Sequence, residues 1–182
     1  KFIQSIPSKS QLSIFEAGCG NGRNLIYARD AGFYSVSGMD ICPQFVEICR
    51  ERMLDVSIRD ILYPLDKTYD IILSVAVIHH LDSEEKRINA IKNLINGLNP
   101  GGRLLITVWS YEKGDSVAQK EFSLGGNIVP WHSKDGATIL EYRYYYIYNR
   151  ELLVETLNSL GVDYKLEWEE QNWIITIEKR VV

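Results

Sequence analysis

An apolar strand, Ile14-Phe15, runs through Glu16-Ala17 into Gly18-Cys19-Gly20-Asn21-Gly22-Arg23, and a helical pattern of Leu25, Ile26, Ala28 and Arg29 follows at once. Three glycines at alternate positions between a strand and a helix constrain the fold more than any other stretch of this chain. Without a Cβ, Gly18, Gly20 and Gly22 let the backbone turn sharply at positive φ and lie against a ligand, while the free N–H groups of the new helix face it. A turn of this kind belongs to an open α/β sheet that binds nucleotide-like ligands outside the carboxyl ends of its strands. A tight turn without a ligand is the alternative reading of the glycines taken alone.

A dinucleotide site has the spacing Gly-x-Gly-x-x-Gly, its third glycine easing the helix against the strand. Here the third glycine comes one residue early, at Gly22, and Arg23 stands where that pattern needs a small residue. Glu16 would also set an acid beside a pyrophosphate. The acid suits a cationic ligand better, and S-adenosylmethionine carries an ammonium and a sulfonium but no phosphate. The string from Glu16 to Gly22 resembles motif I of the class I methyltransferases.

The rest of the chain alternates strand and helix patterns. Ser13 to Ala17 forms the first strand, and the helix after the turn is expected from Asn21, as N-cap, to Ala31, with Gly32 at its C-terminal end. A second strand, Ser35 to Met39, ends in Asp40. An acid there can accept both hydroxyls of a ribose, a solvated turn aspartate being the alternative. Pro43 opens a short helix with an apolar stripe of Phe45, Ile48 and Cys49. Asp55 to Arg59 alternates as a half-buried strand and ends in Asp60. Tyr69 to Ala76 is apolar nearly throughout, as a central strand buried on both faces should be, and continues into Val77-Ile78-His79-His80-Leu81. Asp82 and Glu85 read as a capping box for a helix carrying Ile88, Ile91, Leu94, Ile95 and Leu98, which Asn99-Pro100-Gly101-Gly102 stops. Arg103 to Trp109 is the next strand. Asn149 caps a last helix with Leu152, Leu153, Leu157 and Leu160, closed by Gly161, and Tyr164 to Trp168 with Trp173 to Glu178 forms a hairpin.

A chain of 182 residues, 46% apolar and 24% charged, is an ordinary single globular domain. No apolar run approaches the ~20 residues of a membrane span and no signal peptide is visible at Lys1. A cytoplasmic address is expected, with the nucleus as a second. Cys19, Cys42 and Cys49 lack Cys-x-x-Cys spacing and read as buried thiols, so neither disulfides nor a metal site is expected. A net charge of −4 argues against a stand-alone nucleic-acid binder, though a local basic patch or a partner can supply phosphate contacts.

Tyr69-Asp70-Ile71-Ile72-Leu73-Ser74 and the run from Leu98 to Ile106 look like motifs IV and post-IV of class I methyltransferases, in their usual order after the glycine turn and Asp40. The resemblance covers nearly the whole chain. It implies an α/β, Rossmann-like class I methyltransferase fold: a seven-stranded, mostly parallel sheet in the order 3-2-1-4-5-7-6, helices on both faces and a C-terminal antiparallel hairpin. Residues 1–182 would form one domain with an insertion at about 110–141 for substrate binding. It also implies S-adenosylmethionine as cofactor, held by Glu16, Gly18, Cys19, Gly20 and Gly22 on the first turn, Asp40 and Ile41 after the second strand, Asp60 and Ile61 after the third, and Val75 and Ala76 after the fourth. Asp60 sits where many members keep an acid for the adenine amine.

The residues beyond this common set concern the substrate. His80 ends the central strand where a substrate would approach the methyl group, and Trp109 lies on the same rim. After the insertion, Tyr142-Arg143-Tyr144-Tyr145-Tyr146-Ile147-Tyr148 sets tyrosines at alternate positions. These form either an aromatic face half buried on a strand or loop, or a stacking platform for unpaired bases. The strings Gly18 to Gly22, Ala76 to His80, Val108-Trp109, Val129-Pro130-Trp131 and Tyr142 to Tyr148 together resemble one family, the eukaryotic tRNA wobble-uridine carboxymethyl methyltransferases, including the methyltransferase domain of the tRNA-directed AlkB-like protein. The resemblance implies methylation of the carboxylate of 5-carboxymethyluridine in the tRNA anticodon loop, together with a small zinc-binding activator subunit. Arg143 and His80 are then the expected carboxylate clamp, Trp109, Trp131, Tyr144 and Tyr145 the base-stacking walls, and Arg23 a second cation reaching the pocket. An ionised carboxylate needs no general base, so catalysis would be by alignment and exclusion of water.

Members of that family carry an N-terminal basic segment with proline and tryptophan, which this sequence does not contain, and their insertion after the Trp109 position is longer. The edge strand Asp55 to Arg59 leaves backbone groups unpaired, and the activator is expected to cover it at Ile41, Phe45, Met53, Val56 and Ile58; a short edge guarded by charge is the alternative. A small-carboxylate or amine methyltransferase would keep Glu16, Asp40 and Asp60 without needing the aromatic set. A non-catalytic donor-binding scaffold and a dehydrogenase are the remaining alternatives.

Overall fold

The computed structural model describes residues 1–112, 122–133 and 136–181. In chain order the elements are α1 (Phe2–Ser5), β1 (Ser13–Ala17), α2 (Arg23–Asp30), β2 (Ser35–Asp40), α3 (Pro43–Glu51), β3 (Asp55–Ile58), β4 (Tyr69–Val75), α4 (Glu84–Asn96), β5 (Leu98–Trp109), β6 (Gly125–His132), β7 (Ile139–Ile147), α5 (Arg150–Asn158), β8 (Tyr164–Glu169) and β9 (Asn172–Glu178), with short 3-10 turns at Lys9–Gln11 and Ile78–His80. The main sheet runs β3-β2-β1-β4-β5-β9-β8. Its first five strands are parallel, and β9 and β8 close it antiparallel. That is the expected order, with β9 and β8 as its seventh and sixth strands.

Alternation along β4 explains why the sheet is buried on both sides. Ile71 and Leu73 point into a cluster with Ile6, Ile14, Ala28 and Phe33, while Ile72 points the other way, among Leu94, Leu98, Leu104, Leu153 and Leu157. Each such aliphatic side chain contributes ~1.5–3 kcal/mol by leaving water. At the amino end, the Asp70 carboxylate accepts from Ser13 N–H and Oγ at 2.8 Å each and from Asn99 Nδ2 at 2.8 Å, tying β1, β4 and β5 together.

Several local expectations are corrected. Helix α2 starts after Gly22, which sits in the left-handed region at φ 78°, so Asn21 lies outside the helix and does not cap it. Ser83, one residue after Asp82, caps α4: its Oγ accepts from Lys86 N–H at 3.2 Å, while Asp82 pairs with Lys86 Nζ at 2.7 Å. Asn149 does cap α5, accepting from Leu152 N–H at 3.0 Å. Cys19 and Cys49 are buried, but Cys42 is half exposed at the start of α3. Val56 is buried with Leu25, Val46 and Leu54, so it is not available at the sheet edge. Ile41, Phe45, Met53 and Ile58 remain exposed there.

The aromatic stretch is a strand. Residues of β7 pair antiparallel with β6 in a separate two-stranded sheet, Ile128 opposite Tyr144 and Val129 opposite Arg143. This ribbon packs against the 3-10 turn at Ile78–His80. Residues 113–121 and 134–135 of the expected 110–141 insertion lie outside the described residues.

Candidate active site

The glycine turn divides its work. The N–H of Gly18, at φ 75°, donates to Met39 O at 2.8 Å, and a Cβ on Gly18 would stand 2.3 Å from Val77 Cγ2. Gly20, at φ 53°, has nothing within 4 Å of where a Cβ would be, so its backbone lies open to the cleft. Its N–H donates to Asp40 Oδ2 at 2.8 Å, and Cys42 N–H donates to Oδ1 at 2.9 Å. Two backbone donors therefore fix Asp40, 8% exposed, at the carboxyl end of β2. Each oxygen keeps a lone pair for a further donor. Gly22 differs from its expected role. A Cβ there would meet Leu54 Cδ1 at 2.4 Å and Cys49 Sγ at 2.9 Å, so this glycine lets α2 pack on α3 and lies outside the cleft lining.

Glu16, at the end of β1, is only 1% exposed. Its Oε1 accepts from Asn24 Nδ2 at 2.6 Å, while among the described residues Oε2 has no partner. Burial pushes its pKa up to about 7, against the opposing pull of Asn24 and Arg23. A buried carboxyl with one unpaired oxygen on a cleft wall fits a cationic group. Sequence reading missed Asn24; its only signal is its place on the helix that leaves the turn.

The other strand ends complete this side. Asp60 Oδ1 accepts from Leu62 N–H at 2.9 Å, and Ile61 carries the wall into the core. Ala76, just past β4, holds the left-handed conformation at φ 57°. For a residue with a Cβ this costs on the order of 1–3 kcal/mol. Its N–H is held by Thr107, at 3.1 Å from O and 3.0 Å from Oγ1. Together these residues, with Cys19, Ile41 and Val75, line one side of a cleft of about 910 Å³. Arg23 reaches the same cleft from α2.

His80 and Leu81, after β4, and Glu141, Arg143 and Tyr144, on β7, line the same cleft. The Arg143 guanidinium lies 4.1 Å from the centre of the Trp131 ring, and its Nε donates to Glu141 Oε1 at 2.6 Å. Trp131 thus acts beneath Arg143; it does not itself line the cleft. His80 Nδ1 lies 3.0 Å from Tyr144 O. Burial lowers its pKa, the Tyr144 bond opposes that shift, and nearby Arg143 adds to it. His79 is fully buried, its Nδ1 accepting from Trp109 N–H at 3.1 Å, and burial drives its pKa down to about 3.

Two expected stacking walls are placed elsewhere. Tyr145 is 4% exposed, its ring stacked on Trp109 at 4.4 Å and edge-on to His80 at 4.4 Å. Trp109 is half-buried against it, and neither lines the cleft. The pair supports the histidine turn from behind. Of the four expected aromatics only Tyr144 borders the cleft. Glu141, unforeseen in the sequence, is the acid that steers Arg143.

Residues 15–106 match the family described as a methyltransferase domain. The chain belongs to that methyltransferase family. The tRNA (carboxymethyluridine(34)-5-O)-methyltransferase of Arabidopsis thaliana is 38% identical to it over 117 residues, covering 63% of this chain and 28% of that protein. The tRNA (carboxymethyluridine(34)-5-O)-methyltransferase ALKBH8 of Mus musculus is 36% identical over 137 residues, covering 74% of this chain and 20% of that protein. The match thus spans about a quarter of these relatives' length. The solved structure of CalS10, an amino pentose methyltransferase from Micromonospora echinaspora with S-adenosylmethionine bound, superposes with a TM-score of 0.71 at 15% identity, over 98% of this chain and 87% of that one, and shows the same fold. The methyltransferase cleft fits S-adenosylmethionine as cofactor: Glu16 Oε2 is a buried acceptor in want of a cation, and Gly20 leaves the room a bound ligand needs.

Proposed function

We propose that this methyltransferase domain transfers the methyl group of S-adenosylmethionine to the carboxylate of 5-carboxymethyluridine at the wobble position of a tRNA anticodon, giving the methyl ester and S-adenosylhomocysteine. It does so as catalytic subunit beside a small zinc-binding activator. The relatives' names support the substrate, and one observation carries the reading: Arg143, braced by Trp131 and Glu141, lines the same cleft as Glu16, Asp40 and Asp60.

When bound, the donor supplies an electrophilic methyl on a sulfonium. The chain's residues hold and orient. Glu16 answers the donor's positive charge, Asp40 takes the ribose hydroxyls, Asp60 takes the adenine amine, and Ile41, Ile61, Val75 and Ala76 wall in the apolar remainder. Arg143 orients the substrate carboxylate, whose nucleophilicity at neutral pH needs no base. Holding two reactants in line is worth ~7–11 kcal/mol of barrier at best. The activator is assigned to the edge strand β3, where Ile58 and the neighbouring Met53 stand exposed.

The test is transfer from labelled donor to tRNA bearing 5-carboxymethyluridine, with full-length protein, with and without the activator. Ester formation that needs the activator supports both parts. Transfer only to free carboxylates or amines makes the chain a small-molecule methyltransferase, and donor binding with no transfer makes it a scaffold.

A further inference from the structure

His79 and His80 are adjacent in sequence but are tied by opposite hydrogen bonds. At His79, Nδ1 receives the Trp109 N–H at 3.1 Å, so it carries no hydrogen and the neutral ring is protonated at Nε2. At His80, Nδ1 faces the carbonyl oxygen of Tyr144 at 3.0 Å. A carbonyl only accepts, so His80 Nδ1 carries the hydrogen. In the neutral ring that leaves Nε2 as a bare lone pair. The ring is packed edge-on against Tyr145 at 4.4 Å and His79 at 4.6 Å, which holds its orientation. Burial, with the Arg143 charge, disfavours the imidazolium and outweighs the Tyr144 bond that favours it.

We propose that His80 Nε2 is a hydrogen-bond acceptor for the substrate and not a second cation of the carboxylate clamp. It receives a polar hydrogen of the nucleoside, either the imide N3–H of the uracil ring or the ribose 2′-hydroxyl. A carboxylate oxygen set against that lone pair would be repelled, so the carboxylate goes to Arg143 alone and His80 reads the nucleoside that carries it. This inference rests on the proposed substrate. A partly buried acceptor on the cleft wall discriminates, because an analogue without the donor leaves it without that hydrogen bond. It also gives the buried His79 a purpose: it fixes the end of β5 behind the turn that presents His80.

The first arm is 15N NMR of histidine-labelled protein, with the signals of His79 and His80 assigned through His79→Gln and His80→Asn. His80 should show a protonated Nδ1 and a bare Nε2 at neutral pH, and remain neutral when an anticodon stem-loop carrying 5-carboxymethyluridine is added. An imidazolium, or a hydrogen on Nε2, would overturn the proposal.

The second arm compares that stem-loop with its N3-methyl and 2′-deoxy forms. Wild type should lose about 30-fold or more in kcat/KM against one of them, which names the donor. His80→Asn keeps an amide N–H for Tyr144 O but lacks the Nε2 acceptor. It should lower the parent reaction by a similar factor and distinguish that analogue less than about threefold, with donor affinity unchanged. Wild type that methylates all three alike sinks the acceptor role while leaving the substrate intact. Wild type that binds the donor but methylates none of them sinks the substrate reading itself, and this acceptor role with it.

Discussion

The two walls of the cleft are built on different principles. The proposed donor wall lies at strand ends, where backbone N–H groups and short acids gather and hydrogen bonds between adjacent strand ends set each element. Asp40 is fixed by Gly20 and Cys42 N–H groups. The proposed substrate wall is made by a two-stranded ribbon that returns some sixty residues later to pack on the turn after β4, as His80 bonding Tyr144 O, 64 residues away, illustrates. Its side chains act through one another: Trp131 and Glu141 on Arg143, Trp109 and Tyr145 on the histidines. Hydrogen bonds between neighbouring strand ends fix the first wall, and side-chain packing of a separate ribbon fixes the second.

If the walls are independent in function, substitutions should separate them. The largest effect is expected from Gly18→Ala, whose Cβ would enter Val77 at 2.3 Å from a backbone at φ 75°. Calorimetry should show donor affinity reduced more than about 100-fold, with a lower melting temperature, since strain and overpacking each cost ~1–3 kcal/mol. Arg143→Ala should leave donor affinity within about twofold and lower single-turnover transfer by about 100- to 1000-fold, the scale of losing one partner of a charged pair. Equal loss of donor binding in Arg143→Ala would join the walls and void the clamp.

This contrast also explains what the sequence revealed. Strand-turn-helix spacing and the apolar run of β4 are local signals, so the sheet order and most residues that line the cleft at the strand ends were legible. Gly22 was misassigned because a glycine for helix packing and one for a ligand look alike in sequence; only Leu54 and Cys49 beside it tell them apart. The tyrosine alternation left strand and loop open, and did not tell which face turns inward. Tyr145 is buried and Tyr142 exposed, and a shift of one residue would exchange them. Arg143 was visible as a cation among aromatics, whereas Trp131 beneath it and Glu141 beside it depend on register with β6.

A pH effect sharpens the donor wall. Glu16 has its pKa raised by burial from 4.5 to about 7. Between those values the unfolded chain has released the proton that the folded, ligand-free protein retains. Stability should therefore be fully present below about pH 4.5 and fall as pH rises toward 7, by roughly 3 kcal/mol at most. Donor affinity should move the other way, strengthening as pH rises through 7, because the cation needs the ionised form. Glu16→Gln should flatten both slopes. Thermal melts and donor titrations across that range test this, and a wild-type profile matching Glu16→Gln would place the donor's charge elsewhere.

The smallest effect on stability and the most selective effect on function belong to Met53 and Ile58 at the sheet edge, neither of which lines the cleft. Met53 is 87% exposed and holds a left-handed backbone at φ 56° before β3, while Ile58 is half exposed on the edge strand itself. An exposed methionine buries little, and aspartate tolerates the left-handed region better. Met53→Asp should thus change stability by less than about 0.5 kcal/mol. If the activator covers this edge, a charge placed there must be desolvated on association, so co-purification should fall at least about tenfold in Met53→Asp, and further with Ile58→Asp. Donor affinity should not move in either variant. Full association of the double variant would leave β3 guarded only by its own shortness and charge, and the search for the partner would turn to the exposed Ile128 and Tyr142 on the ribbon.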